Sequence, residues 1–273
     1  MVTIDSLQPL LDKKHVVLGL DAYGVIYNDD GLFDPVKSVF DYCDQHHIPL
    51  FMMTNNATQS ITDISNKMHA FGVPIAPEYV ISSGCGCYML DDIHDVLSNK
   101  KVFVYGFSSS QFYVEMADGI PVSQPEDADV IVFAASLGAN NHHWYKRVHD
   151  VLIHHPTMPV VCINPDYYIK NKHGYKPVMG LYAHQMAHQL NAGHWIWMGK
   201  PYSRFSTLVK TVLTSHGFDH SALVFCDDNP MNVQQLSHDL NCAGVVISDT
   251  GIAQRFSSFQ HDRIFELPVC TIQ

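Results

Sequence analysis

The sequence predicts an α/β protein: a doubly wound, parallel-sheet core with a second α/β unit inserted into it. Three observations predict this. Short apolar runs recur along the 273 residues with helical patterns between them, as expected of parallel strands joined by crossover helices. The first run, Val16-Val17-Leu18-Gly19-Leu20, stops abruptly at Asp21-Ala22-Tyr23-Gly24-Val25. That is the pattern of a buried strand presenting a carboxylate at its C-terminal end, the edge where open α/β sheets bind ligands. Finally, Asp21, Thr54, Lys200 and Asp227 close runs that can share one sheet, whereas runs between about residues 86 and 193 end in less reactive side chains.

Taken in order, the strand candidates are residues 16–20, 49–53, 102–105, 130–133, 160–163, 195–198, 223–225 and 244–247. Helices are predicted over residues 36–46 and from near Ser60 to about Phe71. Glycine tolerates hinge dihedrals, so Gly84, Gly86 and the Asn191-Ala192-Gly193 stretch are the expected crossing points between units. The resulting division is a core at residues 1–85 and 194–273 with an inserted cap at 86–193.

Composition narrows the function classes. With 16 Lys and Arg against 27 Asp and Glu, the formal charge is −11, which argues against a nucleic-acid groove built on many phosphate contacts. The seven cysteines are scattered and odd in number. They read as reduced, mostly buried thiols, and the expected compartment is the cytoplasm. Residues 1–14 show no basic stretch followed by an apolar one, and no apolar run approaches the roughly 20 residues that span a bilayer.

Four segments carry the chemistry. Asp21-Ala22-Tyr23-Gly24-Val25 supplies an acid, Met53-Thr54-Asn55-Asn56 short hydrogen-bonding side chains, Gly199-Lys200-Pro201 a cation, and Cys226-Asp227-Asp228-Asn229 a second carboxylate cluster. Taken alone, Asp21 is better explained as a strand-end turn former. In this order the segments resemble the four motifs of the haloacid dehalogenase (HAD) superfamily, whose core is Rossmann-like. Thr54-Asn55-Asn56, Asn164-Pro165-Asp166 and Gly199-Lys200-Pro201 resemble its class IIA, the branch of nitrophenyl-, nucleotide- and pyridoxal-phosphatases. The long interval between Thr54 and Lys200 is where a class II relative carries its cap. The expectation is therefore a Mg²⁺-dependent phosphatase acting on a small phosphorylated metabolite, with no nucleic-acid or membrane partner. Class IIA relatives are often homodimers.

The resemblance implies roles. Asp21 would be the nucleophile, forming an aspartyl-phosphate. Asp21, Asp227 and the backbone carbonyl of Tyr23 would hold the magnesium. Thr54, Asn55 and Asn56 would bind the phosphoryl group, Lys200 would neutralise charge developing in the transition state, and Asp228 and Asn232 would support the metal or Lys200. The chain also departs from the pattern. Tyr23 stands where the family's phosphatases usually have an aspartate that serves as general acid and base. Cys226 replaces a glycine, and Asn232 a later acid. Two alternatives follow: a non-catalytic phosphate-binding module, or metal-independent dehalogenase-type chemistry, which Asp21-Ala22-Tyr23-Gly24 also resembles. Asn164-Pro165-Asp166 reads first as a structural turn in the insert. His184 and His188, though at helical i, i+4 spacing, read as packed imidazoles rather than a zinc pair.

Overall fold

A computed structural model describes residues 2–137, 141–190, 194–252 and 263–272. Its main sheet has seven strands, all parallel, in the spatial order Val2–Thr3, Ile264–Leu267, Ala243–Ile247, Leu223–Asp227, Val17–Leu20, Leu50–Thr54 and Val80–Ser82. Chain order reverses at Val17–Leu20, which lies between Leu50–Thr54 and Leu223–Asp227. Such a switch point opens a crevice beyond the C-terminal strand ends, and Asp21 is the next residue.

The strand sequences are apolar on both faces because both faces are buried. Val17, Phe51, Met53, Phe225 and Val246 point into one apolar cluster, while their neighbours Leu18, Leu20, Met52, Val224, Cys226 and Val245 point into another. Helices cover each face: Asp34–Gln45 packs Val36, Val39 and Cys43 into the second cluster, and Ser203–Ser215 packs Phe205, Leu208, Val209 and Val212 into the first. The predicted helix from Ser60 is Ile61–Ala70, its N-terminus closed by the Ser60 hydroxyl accepting from the Asp63 N–H at 3.2 Å.

A second parallel sheet of five strands runs Trp195–Trp197, Val160–Cys162, Val130–Phe133, Lys101–Tyr105, Ile120–Val122. One face (Val102, Val104, Val130, Val132, Val161) joins the first apolar cluster of the main sheet, and the other (Phe103, Tyr105, Ile131, Phe133, Val160) packs on Met179–Leu190 through Met179, Ala183 and Met186. The two sheets thus share one continuous core.

Three expectations need adjusting. The run at 195–198 does not join the main sheet: Trp195–Trp197 pairs with Val160–Cys162 at the edge of the small one. Lys200 therefore arrives on the segment leaving the small sheet. Gly84 and Gly86 lie within helical turns, and they are glycines for space. A Cβ on Gly84 would stand 2.6 Å from the Tyr113 ring, and one on Gly86 2.5 Å from the Met198 methyl. The stretch 191–193 lies outside the described residues. The strands Val80–Ser82, Ile120–Val122 and Ile264–Leu267 and two short antiparallel hairpins, Tyr27–Asn28 with Gly31–Leu32 and Tyr168–Asn171 with Gly174–Pro177, were not predicted. All seven cysteines are buried and free. Among the described residues no helix is long and apolar enough to cross a membrane.

Candidate active site

Asp21, Thr54 and Asp227 stand at the C-terminal ends of three adjacent strands of the main sheet, and Lys200 enters on the segment that leaves the small sheet. The fold gathers all four. Lys200, 2 % exposed, donates from Nζ to Asp21 Oδ1 at 2.5 Å, to Asp227 Oδ2 at 2.6 Å and to the Met53 carbonyl at 2.9 Å. One carboxylate oxygen from each of Asp21, Asp227 and Asp228 lies within 4.8 Å of the others.

The two neighbouring aspartates have different surroundings. Asp227 is fully buried and both its oxygens are engaged: Oδ1 accepts from the Asn229 N–H (2.8 Å) and Asn232 Nδ2 (3.1 Å), Oδ2 from Lys200 and Asn232 Nδ2 (3.2 Å). Asp228 accepts at Oδ2 from the Ile252 N–H at 2.8 Å and faces the cavity. Gly24 gives it room. This residue has φ +99°, and a Cβ there would stand 2.6 Å from Asp228 Oδ2, so only glycine supplies both the turn and the approach.

Asn55 forms a junction. Its Nδ2 donates to Asp166 Oδ1 and to the Lys200 carbonyl, both at 2.9 Å, and its Oδ1 accepts from the Lys200 N–H at 2.7 Å. Its amide therefore clamps Asp166 and the Lys200 backbone to the main sheet, and Asn55 also lines the cavity. Gly199, at φ +111°, permits the clamp, because a Cβ there would meet Pro165 Cδ at 2.6 Å and Asn55 Oδ1 at 2.7 Å. Thr54 Oγ1 accepts from the Asn56 N–H at 3.0 Å, and Asn56 Oδ1 caps the next turn by accepting from Thr58. Thr54 and Asn56 both line the cavity.

That cavity has a volume of about 640 Å³. Asp21, Tyr23, Thr54, Asp166, Lys200 and Asp228 line it, together with residues of both hairpins. Tyr23 reaches it with a buried hydroxyl near the Asp29 carboxylate. Burial, and then the nearby Asp29 carboxylate, push that phenol well above its ordinary value. Asn232 Oδ1 and Asn164 Oδ1 are buried acceptors without hydrogen-bond partners among the described residues.

The charge balance of the cluster is negative. Burial lifts the Asp21 carboxyl to about 7 although Lys200 opposes it, and Asp227 adds to the rise. Asp228 is raised well above the ordinary carboxylate range, first by burial, then by Asp227 and Asp21. Burial also lifts Asp166 to about 6 against the pull of Lys200. Burial opposes the Lys200 ammonium, but Asp21 and Asp227 together hold it protonated. One ammonium thus serves several carboxylates in a space of low dielectric, a donor set of hard oxygens short of positive charge. It fits a small divalent cation such as Mg²⁺.

Sequence reasoning assigned no chemical role to two groups at this cavity. Asp166 was read as part of a turn; its place in the wall follows from the Asn55 clamp. Lys67, on the helix Ile61–Ala70, lines the wall with its ammonium 3.8 Å above the Tyr27 ring, and carries no motif that would have marked it. His184 stacks on Trp197, ring centroids 3.8 Å apart, as a packed imidazole should. Among the described residues the metal-competent carboxylate, thiol and imidazole clusters reduce to Asp21, Asp227 and Asp228.

Comparison with known proteins agrees with this geometry. The sequence pattern described as "Haloacid dehalogenase-like hydrolase" matches residues 18–118. An acid sugar phosphatase of Staphylococcus haemolyticus is 24% identical over 162 residues, 59% of this chain and 59% of that protein. One from Staphylococcus epidermidis is 23% identical over 169 residues, 62% of each. The match thus spans about three-fifths of these curated relatives. In fold, the chain is similar to the p-nitrophenyl phosphatase of Archaeoglobus fulgidus (TM-score 0.76, 16% identity, 94% of this chain and 97% of that one). It is equally similar to the 4-nitrophenylphosphatase of Thermotoga maritima (TM-score 0.76, 19% identity, 95% and 96%). Residues 18–118 thus carry the haloacid dehalogenase-like hydrolase pattern, and the chain shares the fold of these two phosphatases over nearly its whole length.

Proposed function

We propose that the protein is a phosphatase that hydrolyses a small phosphorylated metabolite through an aspartyl-phosphate on Asp21, with Mg²⁺ bound at the same site. The observation that carries the reading is the buried cluster in which Lys200 bridges Asp21 and Asp227 beside Asp228. The names of the relatives, acid sugar phosphatase and nitrophenyl phosphatase, support the reaction class.

Asp21 would attack phosphorus along the line of the leaving oxygen, held beside the phosphoryl group by the Lys200 bond at its Oδ1. Lys200, fixed by three acceptors, would offset charge on the phosphoryl oxygens as they become equatorial. Thr54 would donate its hydroxyl proton to one of those oxygens. The metal would be held by Asp21, Asp228 and the Tyr23 carbonyl, and when bound it supplies a Lewis acid that lowers repulsion between carboxylate and phosphate. The two aspartates thereby exchange their expected roles. Asp228 is open to the cavity, whereas Asp227 already has both oxygens occupied and serves to orient Lys200. Asn55 acts as a positioning residue. The small sheet and the hairpin Tyr168–Asn171 with Gly174–Pro177, residues 86–193 with the strand Trp195–Trp197, would form the cap that shapes the substrate space.

The test is phosphate release from a panel of phosphorylated metabolites and aryl phosphates, with Mg²⁺ and with EDTA, beside Asp21→Asn. Turnover that needs Mg²⁺ and disappears in Asp21→Asn is the expected result. Phosphate binding without turnover would favour the non-catalytic module, and full activity in EDTA metal-independent chemistry.

A further inference from the structure

We propose that Asp166, supplied by the insert, is the general acid and base of this site and takes over the work that Tyr23 cannot do. The inference deepens the phosphatase reading above and rests on it. Tyr23 occupies the expected place but brings a phenol instead of a carboxyl, with its hydroxyl buried against the protein. A group that must give and then take a proton near neutrality has to titrate far below a buried phenol.

Asp166 meets the requirements by position. It lines the same cavity as Asp21, Thr54 and Lys200, and is close enough to Asp21 for its charge to raise that carboxyl. Asn55 Nδ2 holds Asp166 Oδ1 at 2.9 Å, and no hydrogen bond to its Oδ2 is present among the described residues. The same Asn55 amide grips Lys200 at both its backbone N–H and carbonyl. Asp166 and the lysine are therefore set in one frame. Packed round by protein yet open to the cavity, its carboxyl lies at about 6, between the two protonation states it has to visit. Asp21 rises from the floor of the crevice and Asp166 comes from the insert, so a phosphoryl group between them would turn its leaving oxygen toward Asp166.

The steps balance. In the first, an Asp21 oxygen forms a bond to phosphorus, the bond from phosphorus to the leaving oxygen breaks, and the Asp166 carboxylic acid gives its proton to that oxygen, releasing an alcohol. In the second, the Asp166 carboxylate takes a proton from a water whose oxygen bonds to phosphorus. The bond from phosphorus to Asp21 breaks, phosphate leaves, and both aspartates return to their starting states.

Asp166→Asn tests this without breaking the clamp, because the new amide oxygen can still accept from Asn55. With 4-nitrophenyl phosphate, whose leaving group needs little protonation, the variant should release a burst of about one nitrophenolate per site. It should then stall as phosphoenzyme, with steady turnover down by about 10²–10⁴-fold. With an alkyl phosphate the burst itself should fall by a similar factor. Adding Tyr23→Asp to Asp166→Asn should restore turnover, since it returns a titratable carboxyl to the same cavity. Two results would overturn the proposal while leaving the phosphatase reading intact: wild-type turnover in Asp166→Asn, or equal losses of burst and steady rate that Tyr23→Asp does not rescue, which is the signature of a positioning residue. No turnover of any phosphate by the unsubstituted protein would overturn both.

Discussion

Replacing Lys200 by methionine removes a charge while nearly keeping side-chain length. In the native site the ammonium satisfies Asp21, Asp227 and the Met53 carbonyl at 2.5, 2.6 and 2.9 Å, at 2 % exposure. Water cannot take its place without repacking. Breaking a buried ion pair from one side costs about 3–5 kcal/mol. At about 2–4 °C per kcal/mol for a chain of this size, the unfolding midpoint should drop by roughly 6–20 °C at pH 8. The sign of the pH dependence follows from Asp21. Its folded carboxyl is raised from 3.8 to about 7 even with Lys200 present, and losing the cation raises it further. Above this range Asp21 is ionised in folded and unfolded chain alike, so the variant bears the full cost of an unpaired buried charge. As pH falls toward 5 the folded carboxyl takes a proton that the unfolded one does not, and the cost shrinks. The gap between variant and wild type should therefore be widest at pH 8 and narrow at pH 5. Excess Mg²⁺ should narrow it at pH 8. Thermal unfolding followed by circular dichroism at both pH values, with and without Mg²⁺, measures all of this. A gap of the same size at pH 5 and pH 8 would show that the lysine acts by packing and would refute the electrostatic account.

Two further predictions concern the frame around the site. Asn55→Ala deletes three hydrogen bonds that tie Asp166 and the Lys200 backbone to the main sheet. Each buried group left unpaired costs about 1–3 kcal/mol, so urea unfolding should shift to a clearly lower midpoint. Gly199→Ala places a Cβ 2.6 Å from Pro165 and 2.7 Å from Asn55 Oδ1 at a backbone of φ +111°. Displacing Lys200 by even about 1 Å should lower kcat by about 10²-fold, seen as steady-state hydrolysis of an aryl phosphate by correctly folded protein.

Much of the fold was legible because parallel strands buried on both faces leave uninterrupted apolar runs, as at Val17–Leu20 and Leu223–Asp227. The strands missed were short or had half-buried positions. Ile120–Val122 sits at a sheet edge and contains a proline, and Ile264–Leu267 is half-buried at its two central positions. The run before Lys200 was legible as a strand but not as to its sheet. Trp195-Ile196-Trp197 is apolar enough for either, and only its pairing with Val160–Cys162 decides.

Sequence alone determined which side chains are available for chemistry. Asp21 and Thr54 had to stand at strand ends, because an apolar run terminated by a polar residue fits a parallel sheet in only one way. What side-chain order along the chain could not decide was the division of labour between adjacent residues. Asp227 and Asp228 are chemically identical, and their difference comes from which one points beneath Lys200 and Asn232 and which one faces the cavity over Gly24. The place of Asp166 was equally a tertiary matter. Its carboxyl and the amide of Asn55 are 111 positions apart in the chain, and only the packing of the small sheet against the main one brings them within a hydrogen bond.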